Sequence, residues 1–442
     1  MRIQLSDHFT YKKLIKFTFP CISMMIFTSI YSVVDGFFIS NFAGKTPFAA
    51  ANFAWPFVMM LSALGFMFGT GGSAIVAKTL GEGKKEKANE YFSLFVYTSI
   101  GLGIVVMVLG LVFLRPVMAF LGAEGAMLDD AVLYGRILLY ALPFFMIQME
   151  FQSFFVTAER PGLGFWSTVI AGVINMVCDW LFVAVFSWGL IGAAWATACS
   201  QMVGGLIPLI YFSSKNHSLL RFSKASWDGR ILGKACTNGS SEFLNNISMS
   251  IVSMLYNVQL MRYAGEDGVA AYGVLMYVCL VFLAIYIGYG IGMAPIVGFH
   301  YGAGNTDELK SLLRKSLILI LAASLAMLGM GEVLARPLSL IFVGYDQTLL
   351  DITARGFTIY SFSFLFSGLG IFGSAFFTAL SDGVTSAIIS VLRTLVFQMA
   401  AVLILPLIWG LDGIWYSIIV AEALATMVTF IFLKVKQKRF GY

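Results

Sequence analysis

Five acidic side chains lie inside strongly apolar segments, where ionisable residues are rare. They are Asp35, Glu150, Asp179, Glu242 and Glu422. An ionised carboxylate is costly in hydrocarbon, so acids at such positions usually mark a functional site. Burial disfavours the charged form of a carboxyl group, which makes it able to take up and release a proton near neutral pH. The chemistry indicated is reversible binding of a proton or a small cation.

Two of these acids and an amide are predicted to form one cluster. Asp35 and Asp179 follow the basic residues Lys16 and Arg160 at the same sequence distance, which places both about 28 Å along their helices. Asn175 precedes Asp179 by four residues and therefore shares its helix face. We predict that Asp35, Asn175 and Asp179 bind H⁺ or Na⁺ together. The alternative is a fixed polar network that joins two helices.

A proline precedes the first of these acids in the same apolar segment. Pro20 removes a backbone hydrogen bond from the interior of the helix. Prolines at such positions cause kinks. We therefore predict a hinge in the first helix.

A second set of polar residues is a possible network in the cavity or the C-terminal half. Glu242, Arg393 and Glu422 have predicted depths of about 12, 16 and 18 Å from one edge. An intramembrane Arg is very costly alone, so Arg393 should pair with one or both acids. Gln201 is assigned to the same set. For the set as a whole, the sequence is compatible with a functional role and with a structural role. Glu150 either faces a cavity or is solvated at an interface.

Long apolar segments must position these residues. Hydrophobic residues make up 59% of the 442, only 12% are charged, and the mean hydropathy is +0.87, whereas about a quarter of a soluble domain is charged. About 20 helical residues cross the hydrocarbon layer. Continuous rather than alternating apolar segments indicate helices. We predict an all-α integral membrane protein with twelve transmembrane helices, at 15–40, 50–78, 91–114, 131–157, 163–186, 189–213, 236–262, 269–300, 314–335, 353–380, 384–408 and 411–433.

The 28 Lys and Arg residues are divided unequally between alternate loops. If the N-terminus is cytoplasmic, most of them lie in cytoplasmic segments. The other side then holds Lys45, Arg115, Arg136, Arg262, Arg336 and Arg355. Since cytoplasmic loops carry the excess of Lys and Arg, both termini are predicted to be cytoplasmic. The net charge of +5 thus reflects orientation rather than a nucleic-acid partner.

An internal repeat relates the two halves of the chain. An offset of 221 residues places Arg115-Pro116 on Arg336-Pro337 and Trp188-Gly189-Leu190 on Trp409-Gly410-Leu411. Such residue types rarely coincide by chance at one ungapped offset. Two parallel six-helix bundles, related by a pseudo-twofold axis along the membrane normal, are expected. The predicted domains are an N-terminal lobe, a cytoplasmic linker and a C-terminal lobe, at 1–213, 214–235 and 236–442.

Enzyme signatures are missing from the sequence. It contains no Walker A loop, no H-E-x-x-H and no G-x-S-x-G. We therefore predict neither an enzyme nor a cofactor. The three histidines are isolated and expected to be solvated or interfacial, and the cysteines lack metal-binding spacing. No metal is expected beyond Na⁺ at the Asp35 cluster.

Three motifs and one residue pair carry a family resemblance. The motifs are V-V-D-G-F-F-I-S at 33–40, A-I-V-A-K-T-L-G-E-G at 74–83 and its repeat P-I-V-G-F-H-Y-G-A-G at 295–304. The pair is Asn175 and Asp179. Together with the repeat, they resemble the MATE family of multidrug and toxic compound exporters, in its bacterial DinF- and MepA-like branch. The resemblance covers nearly the whole chain.

The resemblance implies secondary antiport across the bacterial cytoplasmic membrane. H⁺ or Na⁺ entry would drive efflux of amphipathic, often cationic compounds from a central cleft by a rocking-switch motion. The ion-binding residues of the family correspond to Asp35, Asn175 and Asp179. The expected partners are such drugs and membrane lipid, with no nucleic acid, and the expected state is a monomer.

The sequence departs from the family pattern in the C-terminal half. NorM-like members have an Asp on helix ten, where this chain has no acid, and Glu242 lies nearer the start of helix seven than their Glu. A C-lobe Na⁺ site of that type is therefore not expected.

Two functions other than export are the alternatives for such a chain. A flippase for lipid-linked oligosaccharides, from the wider MOP superfamily, would favour extra helices and several cavity arginines. A membrane-embedded enzyme has no supporting motif.

Overall fold

Helices dominate because a chain in lipid must satisfy its backbone hydrogen bonds within each segment. The computed structural model describes residues 3–39, 42, 45–120, 123–215, 218–344 and 346–442. The last residue of the 33–40 motif and positions 216 and 217 of the predicted linker lie outside them. The helices are α1 (Tyr11–Phe38), α2 (Lys45–Gly81), α3 (Lys85–Phe120), α4 (Gly125–Thr157), α5 (Pro161–Asp179), α6 (Gly189–Ser213), α7 (Gly229–Gly302), α8 (Thr306–Val343), α9 (Gln347–Ser361), α10 (Phe364–Ala379), α11 (Gly383–Val391), α12 (Phe397–Ile404) and α13 (Pro406–Phe440).

The described helices confirm an all-helical membrane protein. Ten described helical segments, with α11 and α12 counted as one, are long and apolar enough to span a membrane, and α9 with α10, bent by 53°, makes an eleventh candidate. The remaining predicted span is the first limb of α7, which is rich in Ser and Asn. Gly265 breaks α7 into two limbs, with φ 63° and ψ −150°. This helix begins at Gly229, within the stretch predicted as a linker.

Among the described residues, π-helical segments follow α5 and join α11 to α12. They are Trp180–Val185 and Leu392–Val396, respectively. Segments of this kind occur frequently at functional sites. Each of the two lies beside a charged residue that the sequence singled out.

The repeat is visible in backbone conformation. Gly83 and Gly304 have φ values of 76° and 69°, and Gly189 and Gly410 have 55° and 59°. The members of each pair are separated by the repeat offset of 221 residues. Because glycine adopts these angles without steric cost, the same turns recur in both halves. We call α1–α6 the N-lobe and α7–α13 the C-lobe.

The lobes contact each other closely at one end of the molecule. A Cβ at Gly81 would collide with the backbone of Phe299, and one at Gly302 with the backbone of Lys78. Gly81 and Gly302 are repeat equivalents, so the contact is nearly symmetric. We call this end, which carries the turns 81–85 and 302–306 and the C-terminus, the basic end.

Helix α1 contacts both lobes along its length. Towards the basic end, Thr18 and Ile22 lie against Gly292 and Gly288 of α7. Further along, Phe27 and Tyr31 lie against α5, as described below. Pro20 is inside the part of α1 that contacts the C-lobe.

Candidate functional site

Helices α1, α5 and α6 position the acidic cluster of the N-lobe. Gly172 on α5 leaves room for the rings of Phe27 and Tyr31, which brings the C-terminal half of α1 against α5. The Ser200 hydroxyl donates a hydrogen bond to the Ala171 carbonyl at 2.8 Å and ties α6 to α5. These contacts bring the three helices together around Asp35.

The structure brings Asp35, Asn175 and Asp179 together. The Asp35 carboxyl group lies beside the Asp179 carboxyl and the Asn175 amide. It accepts a hydrogen bond from the Thr197 hydroxyl at 3.4 Å. Asp179 is fully buried, Asn175 is 2% exposed, and Asp35 is half-buried. The cluster is therefore largely withdrawn from water.

The acids of this cluster are not neutralised by the protein. Within the described ranges, neither carboxyl oxygen of Asp179 and neither amide atom of Asn175 has a hydrogen-bond partner. No Lys, Arg or His of those ranges forms an ion pair with Asp35 or Asp179. Two adjacent carboxylates in an apolar site cannot both stay charged without a cation or a shared proton. The site has the chemistry to hold either one.

Two uncharged residues of this site were missed by the sequence analysis. Tyr134 of α4 is 1% exposed and lies near Asp35, Asp179 and Thr197. Neither Tyr134 nor Thr197 carries a charge, so a prediction based on buried acids does not include them. Thr197 could have been found, because it precedes the predicted Gln201 by one turn of α6.

The predicted C-lobe residues also lie close together, but here the two acids lie near the positively charged side chain of Arg393. Arg393 Nε lies 3.2 Å from Glu422 Oε1, so the expected ion pair is present. Glu242 is near enough to Arg393 for a Coulombic interaction. Gly370 of α10 makes room for this arrangement, since a Cβ there would lie 2.8 Å from Arg393 Cδ. In this cluster the protein supplies its own counter-charge.

Glu150 is fully buried, which rules out a solvated interfacial position, one of the two alternatives left open by the sequence. It lies in α4, whose backbone there packs against Gly69 of α2. Over the described part of the chain, neither of its carboxyl oxygens has a hydrogen-bond partner. Gln201 is 4% exposed, belongs to the N-lobe, and is the repeat equivalent of Glu422.

His300 differs from expectation, whereas His8 is exposed as expected. His300 is 2% exposed, because α7 buries it beneath the N-terminal segment next to Phe9. His8 Nδ1 lies 2.6 Å from Glu308 Oε2. His217 lies outside the described residues.

The fold and these sites define a class of protein. Two repeated helical lobes that span the membrane, with buried ionisable groups in them, form the architecture of a membrane transporter. Comparison with known proteins then identifies the family.

The sequence profile of the MatE family matches residues 20–181 and again 243–404. The multidrug export protein MepA of Staphylococcus aureus (strain MRSA252) is 21% identical over 433 residues, which cover 97% of this chain and 94% of that protein. MepA of Staphylococcus haemolyticus (strain JCSC1435) is 22% identical over 420 residues, or 95% and 92% of the two chains.

A solved structure agrees with these matches. The outward-facing conformation of a multidrug resistance MATE transporter of the MOP superfamily superposes with a TM-score of 0.93, at 22% identity, over 98% of this chain and 97% of that one. The chain belongs to the MATE family, whose members are transporters and not enzymes. Its similarity to MepA agrees with the predicted branch.

Proposed function

We propose that this protein is a secondary active exporter in which H⁺ or Na⁺ influx drives efflux of amphipathic, often cationic compounds. The relatives described above are named as multidrug export proteins, which supports this substrate class. No observation favours the oligosaccharide flippase. Among the predicted deep residues Arg393 is the only arginine, and it is engaged by Glu422, so it does not offer a free charge to a pyrophosphate.

The coupling ion is proposed to bind at Asp35, Asn175 and Asp179. The observation that carries this assignment is the pair of adjacent acids without a counter-charge. Binding of H⁺ or Na⁺ would remove the repulsion between them and add a favourable contact to Asp179, whose oxygens otherwise lack donors. Thr197 and Tyr134 would hold Asp35 in position for this exchange.

Ion binding is proposed to act on transport through α1. This helix contacts the C-lobe near Pro20 and the N-lobe near Asp35. Neutralising Asp35 would change its contacts with α5, and Pro20 would let the helix bend between the two lobes. The lobes, assigned as 1–213 and 236–442 with the 214–235 linker between them, would then rock about their contact at the basic end.

The orientation and the remaining polar residues complete the proposal. By the positive-inside rule, the basic end would face the cytoplasm, with both termini inside. Glu242, Arg393 and Glu422 would form structural support for the C-lobe. Glu150 and Gln201 would be buried polar residues of the N-lobe outside the ion site.

Transport by reconstituted variants tests the ion site. Asp35→Asn and Asp179→Asn keep the side-chain volume but cannot release a proton. Each should fold and still bind a lipophilic cation such as ethidium, yet lose uphill efflux from liposomes under an imposed H⁺ or Na⁺ gradient. Collapsing each gradient separately in the wild type identifies the ion.

The matched control is Asp307→Asn, because Asp307 is an exposed acid. This variant should transport at the wild-type rate. Wild-type rates in both Asp35→Asn and Asp179→Asn would overturn the assignment of the coupling site.

A further inference from the structure

A cavity of about 720 Å³ lies between the two lobes at the basic end. Its walls come from the end of α2, the start of α3, both ends of α7 and the end of α13. It adjoins a second cavity of about 630 Å³, which shares Lys234, Asn238 and Arg439 with the first. The cavity is therefore built by elements that move relative to one another if the lobes rock.

Cations from both lobes converge on this cavity. Lys78, Lys84 and Lys87 come from the N-lobe, and Lys234 and Arg439 come from the C-lobe. The acid among the lining residues is Glu82, which pairs with Lys84 at 2.8 Å. Beside Glu82 the pKa of Lys84 is raised, so this lysine remains charged. The lining of the cavity thus contains one carboxylate and five cationic side chains.

The other four cations have no acidic partner in the part of the chain that the structure describes. Lys78 lies over the ring of Tyr301, with 5.0 Å from Nζ to the ring centroid, and Lys87 lies 5.7 Å from the centroid of Tyr91. Arg439 lies over Phe440. These aromatic contacts hold the stems in place but leave the N–H donors able to bind an anion.

The charges oppose the contact between the lobes. Across the cavity, cations of the N-lobe face cations of the C-lobe, and like charges repel each other more strongly near a protein surface than in bulk water. An anion between them would turn this repulsion into attraction on both sides. Phosphate oxygens suit the site, because Lys and Arg form their strong, charge-assisted hydrogen bonds with carboxylate and phosphate groups.

The general excess of positive charge at one face does not explain this arrangement. Lys12 and Lys310 are also exposed, but neither lines the cavity. A bias that served orientation alone would not require cations of two lobes to line one shared cavity.

We propose that this cavity binds a phosphate-bearing anion, which bridges Lys78, Lys84 and Lys87 of the N-lobe to Lys234 and Arg439 of the C-lobe. Binding stabilises the arrangement in which the lobes are in contact at the basic end. Anion binding itself does not depend on the proposed export function. A slowing of transport caused by the bound anion would rest on that function. The anion is either a free phosphate compound or the headgroup of an anionic lipid.

Thermal unfolding with inorganic pyrophosphate tests the soluble source. The cavity variant is Lys234→Gln with Arg439→Gln, and the control is Lys12→Gln with Lys310→Gln, which removes the same charge outside the cavity. In detergent at low salt, pyrophosphate should raise the Tm of the wild type and the control. The cavity variant should bind on the order of tenfold more weakly or worse. Salt near 1 M, where the Debye length is about 3 Å, should remove the effect.

Nanodiscs test the lipid source with the same three proteins. Phosphatidylglycerol mixed into phosphatidylcholine should raise the Tm of the wild type and the control, but not of the cavity variant, if the headgroup is the ligand. A cavity-dependent response to pyrophosphate alone assigns a free anion, and one to phosphatidylglycerol alone assigns the lipid. Equal responses of the cavity and control variants, or no response of any protein to either anion, would overturn the proposal.

Discussion

The two lobes share one fold but treat their buried charges in opposite ways. In the N-lobe, Asp35 and Asp179 lie side by side and no described basic side chain pairs with them. In the C-lobe, Glu422 lies 3.2 Å from Arg393, with Glu242 nearby. The clusters are not repeat equivalents either, since an offset of 221 residues takes Asp35 to Tyr256 and Gln201 to Glu422.

The difference indicates which lobe has capacity for an external ion. Removing an internal partner from a buried charge costs about 3–5 kcal/mol, so Glu422 already has its counter-charge in Arg393. A pair of acids without such a partner is completed only by something that enters from solution. This asymmetry of charge within a symmetric fold is the basis for proposing the N-lobe as the coupling lobe.

The largest contrast should appear in transport. The N-lobe double variant Asp35→Asn/Asp179→Asn should abolish uphill efflux, because neither site can then release an ion. The C-lobe double variant Arg393→Met/Glu422→Gln removes both charges of the ion pair together and should retain most of the efflux. Liposome assays of both, normalised to protein content, make the measurement. An equal loss of efflux in the two double variants would contradict the proposed difference in function between the lobes.

Stability should show the reverse contrast. Arg393→Met alone leaves Glu422 buried without its partner and should lower the free energy of unfolding by about 3–5 kcal/mol. The double variant Arg393→Met/Glu422→Gln should recover much of that loss, while Asp179→Asn should lose little or none. Thermal unfolding in detergent compares the three. Equal stability of the single and double C-lobe variants would count against a structural ion pair.

Substitutions at two glycines should have smaller effects on stability and transport, and they test the same difference between the lobes. Gly172→Ala would push α1 away from α5 at Phe27 and Tyr31, and Gly370→Ala would displace Arg393. Overpacking of this kind costs about 1–3 kcal/mol. Both should lower the Tm, but only Gly172→Ala should also slow efflux, because it misplaces Asp35.

Gly101→Ala is a control, since no atom outside its own helix neighbourhood lies within 4 Å of a Cβ built there. Efflux that falls equally in the Gly172 and Gly370 variants would mean that the coupling machinery extends into both lobes.

The smallest effect is expected at Thr197. Thr197→Val keeps the shape of the side chain but removes the hydroxyl that donates to Asp35 at 3.4 Å. A single hydrogen bond contributes about 0.5–1.5 kcal/mol net, so the ion concentration needed for half-maximal transport should shift by roughly tenfold at most. Titration of transport against pH and Na⁺ measures the shift. Unchanged ion dependence would place Thr197 outside the site.

The sequence determined the helical membrane fold and the repeat, because both depend on local composition and on spacing along the chain. Continuous apolar segments admit helices alone, and the shared glycines at 83 and 304 set the same turns in each half. The proximity of Asp35 and Asp179 was predicted from helical rise, and the pairing of Arg393 from the cost of an isolated charge.

The tertiary structure decided which uncharged groups join the acids and which charges meet across the lobes. Tyr134 and Thr197 reach the acidic site because α4 and α6 pack beside α1 and α5, and no spacing in one helix contains that information. Glu150 is buried because α2 approaches α4 closely at Gly69, which periodicity could not reveal. The basic cavity exists only where helices of both lobes converge, since charges far apart in sequence become neighbours through packing alone.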